Sequence, residues 1–202
     1  PVGDSNIANA RYIATLGVVN NESMLEKVKG KWDKFGDSID IAFLALGRKL
    51  GIKSSEFKKV SDIPYESEKK YSAVFYKIDN DVLCTAKGSV EVILDFCKYS
   101  YEDGEKVKLN KEKILKQNEE LASNGYRVIA ICDGDVPLKE KYSEKDVKNL
   151  TFIGLVGFID PVRKEAVGAI KKCKTAGIKV LMITGDHALT ALAPIDSKAC
   201  NA

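Results

Sequence analysis

At 202 residues, 45% hydrophobic and 30% charged, the chain has an ordinary globular composition, with room for one good core or one and a half domains. Its 32 basic and 29 acidic side chains leave a formal charge of +3 and are interleaved along the chain, which excludes the basic tract a nucleic-acid partner would need. The five cysteines, Cys84, Cys97, Cys132, Cys173 and Cys200, form no CxxC pair and read as reduced cytosolic core thiols, and the single histidine, His187, excludes a His-rich metal cluster.

In chain order, Ile7 to Val19 suggests a helix that ends at Asn20-Asn21, followed by a polar stretch around Trp32. Asp37 or Ser38 can cap the apolar run Ile39 to Leu46, which continues to Leu50 and stops at Gly51; its length favours a buried helix. Tyr71 to Ile78 and Val82 to Ala86 are β-prone runs separated by Asp79-Asn80-Asp81, a hairpin signal. Val90 to Cys97 reads as helix. Asn110 can cap a helix from Lys111 to Ser123, with Ile114, Leu115, Leu121 and Ala122 on one face and Gly125 past its end. Tyr126 to Cys132 and Thr151 to Phe158 supply two more strands. The longest apolar run, Leu150 to Ile159, is far short of the roughly 20 residues of a membrane helix. No secretory signal opens the chain, so this piece is expected to be soluble and monomeric by itself.

Strands paired by hairpins with helices elsewhere predict an α+β domain with an antiparallel sheet and flanking helices over residues 1–158. Residues 159–202 read differently, as a short α/β segment. Asp160-Pro161 can open a helix, Ala166, Val167, Ile170 and Cys173 recur at helical spacing, and Gly177 supplies a left-handed stop. The apolar strand Ile178 to Ile183 then ends in the polar turn Thr184-Gly185-Asp186, at the sheet edge where ligands bind in open α/β folds.

Four places before Asp160 carry groups suited to a nucleotide. In Gly36-Asp37-Ser38-Ile39-Asp40-Ile41-Ala42, the Asp40 carboxylate accepts hydrogen bonds only, which suits an adenine amino group; it could equally be a second acid in a helix first turn. Tyr65, in Pro64-Tyr65-Glu66-Ser67-Glu68-Lys69-Lys70, offers a ring to stack on a base, with the Lys70 or Lys69 cation nearby; a tyrosine among charges is also an ordinary packing residue. In Lys87-Gly88-Ser89-Val90-Glu91, a lysine at a strand end can point into a cleft, and the glycine lets backbone approach a ligand, though Lys-Gly is by itself a common turn. Arg127, in Gly125-Tyr126-Arg127, offers a planar fork to phosphate or ribose oxygens, or simply a solvated strand-edge head.

These four segments, together with Asp160-Pro161-Val162-Arg163-Lys164-Glu165 and Met182-Ile183-Thr184-Gly185-Asp186-His187, occur in the order and at the intervals that resemble P-type cation-transporting ATPases. The resemblance covers nearly the whole chain: the nucleotide-binding domain, then the beginning of the C-terminal part of the phosphorylation domain. It implies that Asp40, Tyr65, Lys70, Lys87, Gly88 and Arg127 contact ATP. Thr184 and the Gly185 backbone would bind the transferred phosphoryl group, and Asp186 would sit at the nucleotide and hinge with Asp160 and Arg163. Departures from the family pattern are Asp40 for Glu, Val90 for Pro, and Ser67 where some calcium pumps have an Arg that reaches the phosphates.

The resemblance also implies partners: the rest of the same pump, that is, its phosphorylation, actuator and membrane domains. The piece would be a cytoplasmic domain of an integral membrane protein. Between Leu150 and Asp186 it is closest to the calcium-pump branch, so calcium is the expected ion, with magnesium or another cation as alternative. The 202 residues contain neither the family's Asp-Lys-Thr-Gly-Thr nucleophile motif nor its Gly-Asp-Gly-x-Asn-Asp motif for Mg²⁺, so this piece is expected to bind ATP without turnover. Pro194 would interrupt the family's helix after Thr190-Ala191. Two rivals stand beside this reading. A freestanding haloacid-dehalogenase-like phosphatase would suit Lys179 to Thr184 but needs an aspartate nucleophile loop before Leu150, where none is found. A regulatory nucleotide-sensing or protein-interaction module would need no catalysis.

Overall fold

The computed structural model describes residues 4–53, 56–102, 104–159 and 164–181, without the side chains of 4–7, 164 and 167. Its backbone contacts group into two compact units, one of residues 1–111 and 129–156, the other of residues 112–128 and 157–202.

The first unit opens with helix α1 (Asp4–Val19), then an antiparallel hairpin of β1 (Met24–Val28) and β2 (Lys31–Phe35), and helix α2 (Ser38–Lys49). Asp37 caps α2 through a hydrogen bond from the Ile39 amide to its Oδ1 at 2.8 Å, as the sequence predicts. Helices α1 and α2 pack closely: a Cβ on Gly17 would lie 2.1 Å from the Phe43 ring, so only glycine permits this approach. Ala14, Val18 and Ile52 form a small apolar cluster beneath them, with Leu44, Leu50 and Phe57 against it.

The sheet follows: β3 (Lys58–Glu66), β4 (Tyr71–Ile78), β5 (Asp81–Gly88), helix α3 (Val90–Phe96), β6 (Cys97–Glu102), β7 (Glu105–Lys108), helix α4 (Lys111–Ser123), β8 (Arg127–Val136) and β9 (Leu150–Phe158). Seven strands lie in the order β3-β4-β5-β8-β9-β6-β7, antiparallel except where β6 runs parallel to β9. The fold class is therefore the expected α+β one. Residues Tyr71 to Tyr76 of β4 are all buried, as are Cys84 to Gly88 of β5, so the central strands are covered on both faces. On one face Phe75 stacks on Tyr142 of the 137–149 connection, ring centroids 4.6 Å apart. On the other, Tyr76 and Asp133 meet Tyr12 of α1.

The second unit holds α4 from Glu112 on, the Arg127 end of β8, the end of β9 and helix α5 (Lys164–Thr175). Helix α5 stops where predicted, with Gly177 at φ 72° and the Ile178 amide donating to the Cys173 carbonyl at 2.9 Å. The expected strand Ile178 to Ile183 is not formed over its described part: residues 178–181 carry no regular structure and are exposed. With apolar side chains that find no sheet partner there, β-propensity alone does not make a strand. No described helix is long and apolar enough to cross a membrane.

Candidate functional site

Helix α1 ends in Asn20, and the three residues Asn20-Asn21-Glu22 run on as a strap over the β4 and β5 strands. Asn20 is a polar residue with 1% of its surface exposed, and its burial is explained by its bonds. Its Nδ2 donates to the carbonyls of Ser72 (3.0 Å) and Thr85 (3.4 Å), and its Oδ1 accepts from the Ser72 hydroxyl at 3.0 Å. Asn21 Nδ2 donates to the Gly17 carbonyl (3.1 Å) and the Asp40 carbonyl (2.9 Å), which ties the end of α1 to the first turn of α2. The polar atoms of the strap are thus tied into the fold, as burial requires.

Over this strap lies an ion pair between Asp40 Oδ1 and Lys87 Nζ at 2.7 Å, both residues only 7% exposed. Lys87 also donates to the Asn20 carbonyl, and Asp40 Oδ2 accepts from the Glu22 amide at 3.0 Å. Burial pushes the Lys87 ammonium below its usual range, opposed by the carboxylates of Asp40, Glu22 and Asp37. Three carboxylates against one ammonium leave this end of the site net negative.

Lys87 and Gly88 both have neighbours in the fold itself. Lys87 does not project from the strand end into open space; it turns onto Asp40 because an ammonium this buried needs a counter-charge. At Gly88 a Cβ would lie 2.3 Å from the Lys70 carbonyl and 2.7 Å from Tyr71 Cα. The neighbouring β4 backbone fills that space, and the Lys70 carbonyl accepts from the Ser89 amide at 2.9 Å.

Tyr65 lies near the end of edge strand β3, 56% exposed. The ladder to β4 pairs Ile63 with Ala73 and Glu66 with Tyr71, so one extra β3 residue forms a bulge at Pro64-Tyr65. Its amide donates to Glu22 Oε1 at 2.8 Å. The structure therefore joins Asp40, Lys87 and the Tyr65 backbone through Glu22. Lys70 is exposed at φ 60°, in the turn that leads from Tyr65 into β4. Lys69 is bound to Glu66 at 2.8 Å and Glu144 at 2.6 Å, and both carboxylates raise its pKa.

Arg127 is exposed at the start of β8, in the second unit. Thr184, Gly185 and Asp186 lie outside the described residues, as do Asp160, Arg163, His187 and Pro194. The motifs did not reveal Asn20, Asn21, Glu22 and Ser72. The one available signal was a pair of asparagines closing an otherwise apolar helix end.

The Tyr65 ring is exposed while its amide is bonded to Glu22, whose own amide is bonded to the Asp40 carboxylate. No cluster of three or more His, Cys, Asp or Glu side chains that could hold a metal ion is found among the described residues.

Comparison with known proteins gives the class. The family model for the P-type ATPase cytoplasmic domain N matches residues 9–165, and the chain belongs to that family. Among full-length relatives it is 36% identical over 184 residues to a cation-transporting ATPase, pma1, of Synechocystis sp., covering 88% of this chain and 20% of the relative. It is 34% identical over 187 residues to a calcium-transporting ATPase of Bacillus subtilis, covering 88% of this chain and 21% of the relative. Similarity to the Drosophila melanogaster sodium/potassium-transporting ATPase alpha subunit is 35% over 179 residues, covering 78% of this chain and 17% of the relative. The chain thus spans about a fifth of the length of the curated relatives it matches.

Proposed function

We propose that the chain binds ATP as the nucleotide-binding part of a cation pump that hydrolyses ATP through an aspartyl-phosphate, with calcium as the transported ion. The observation that carries the nucleotide reading is the link from the exposed Tyr65 through Glu22 to the buried Asp40–Lys87 pair. In this reading Tyr65 stacks on adenine, Asp40 accepts from its amino edge, and Lys87 holds the Asp40 carboxylate in place. Lys70 offers a cation for the phosphates, and the family resemblance names Arg127 as a further one. Mg²⁺ would offset the phosphate charge and would be held mainly by pump segments that these 202 residues do not contain. Residues 1–158 form the nucleotide-binding domain, and residues 159–202 begin part of the phosphorylation domain, where Thr184, Gly185 and Asp186 support phosphoryl transfer.

Calcium is supported by the resemblance of Leu150 to Asp186 to calcium pumps and by the calcium-transporting Bacillus subtilis relative. The rest of the pump is the partner, and the chain alone binds ATP without turnover.

Calorimetric titration with ATP tests the site. Binding is weak, because stacking and a few cations must offset the entropy of fixing a mobile nucleotide. Tyr65→Ala lowers the affinity by about fivefold or more, as expected for a stacking contribution of about 1–3 kcal/mol. An unchanged affinity defeats the reading. In the intact pump, ATPase activity that responds to sodium and potassium but not to calcium would remove the ion assignment alone.

A further inference from the structure

Tyr65 carries an exposed ring on the edge strand β3. Its strand bulges at Pro64-Tyr65, which takes the backbone out of the β3–β4 ladder. The proline supplies no amide of its own. The Tyr65 amide is instead taken by Glu22 Oε1 at 2.8 Å.

Glu22 is a firm anchor even though it is exposed. Its own amide donates to Asp40 Oδ2 at 3.0 Å, and it directly follows Asn20 and Asn21, both held by the surrounding backbone. One residue therefore touches both groups that the nucleotide reading places on the base: the platform by its side chain, the acceptor by its backbone.

We infer that Glu22 is a positioning residue for adenine recognition, holding the bulged backbone of Tyr65 so that the ring stands in register with the Asp40 carboxylate. The inference rests on the nucleotide reading above. Glu22 need not touch the nucleotide: its effect runs through Tyr65.

Removing the carboxylate also removes a negative charge, which by itself would favour ATP. The test therefore compares Glu22→Ala with Glu22→Gln, which have lost the same charge but differ in the acceptor oxygen. ATP is titrated into the 202-residue chain carrying each variant, alone and together with Tyr65→Ala. The alanine variant is expected to bind about fivefold more weakly than the glutamine variant, the scale of one hydrogen bond. That gap should close when Tyr65 is alanine. The Tyr65 amide proton resonance should move upfield in the alanine variant and stay near its place in the glutamine variant, a change that a general loss of stability would not produce at that one amide.

Equal affinities for the two Glu22 variants, while Tyr65→Ala still weakens binding, would overturn the inference and leave the nucleotide site standing. The same holds if the gap persists without the ring. If Tyr65→Ala has no effect on binding, the nucleotide reading itself fails, and the inference falls with it.

Discussion

Asp133 shows what a single buried carboxyl does when no cation answers it. It is 3% exposed, accepts from the Tyr12 hydroxyl at 2.6 Å and from the Tyr76 hydroxyl at 3.2 Å, and its pKa is pushed up to about 6. Burial is the main cause; the two hydroxyls and the Gly134 amide oppose it, and Asp135 adds to it. Tyr12, Tyr76 and the Cys84 thiol around it are all raised, so they stay protonated and neutral beside it. A raised acid binds its proton more tightly in the folded chain than in the unfolded one. Its favourable contribution is therefore present at low pH and is lost as pH rises through about 6. Between pH 5 and 7.5 this group should lower stability by about 1.4 kcal/mol. Urea unfolding of Asp133→Asn, which keeps an acceptor for the tyrosines and cannot ionise, should show a shallower pH dependence over that range than the unaltered chain. Identical slopes would mean that the carboxyl is already solvated.

Elements with a buried face could be read from the sequence, and those without one could not. Helix α2 was legible because Asp37 caps it and Gly51 closes it, and the β4–β5 hairpin because its apolar runs flank Asp79-Asn80-Asp81. Strand β2 is exposed at every position, so no alternation of apolar and polar residues betrays it; only the Lys29-Gly30 turn, with both residues at positive φ, marks the hairpin. Strand β3 is an edge strand with two register shifts and a proline, and β6 starts at the residue directly after α3, leaving no turn between them. The site divides the same way. Asp40, Tyr65 and Lys87 sit in short motifs, whereas Asn20 and Glu22 reach their partners across 18 to 67 residues of sequence, which no local pattern encodes. Among the helices, the close α1–α2 contact gives a sharp prediction. Gly17→Ala drives a methyl into the Phe43 ring and should lower stability by about 1–3 kcal/mol in urea unfolding. A stabilised variant, as helix propensity alone would give, would show that the helices can separate at little cost.

At the scale of the molecule, family membership accounts for a chain that covers about a fifth of each relative. The proposed division of labour has a consequence for its far end. If Thr184, Gly185 and Asp186 serve phosphoryl transfer and not nucleotide capture, Asp186→Asn should leave the ATP affinity of this chain within about twofold, the range of a surface substitution. The same change in the intact pump should impair formation of the phosphoenzyme, measured with radiolabelled ATP. A large loss of affinity in the chain alone would move that aspartate into the binding site.

The central claim is that Tyr65, Glu22, Asp40 and Lys87 form one adenine site, and chemical-shift mapping tests it most directly. Adding ATP to the isotopically labelled chain should perturb the amides of Glu22, Asp40, Tyr65, Lys70 and Lys87 together along a single saturation curve. Tyr65→Ala should displace that curve to higher ATP concentration. Perturbations confined to other residues, or none at concentrations that saturate weak sites, would contradict the account.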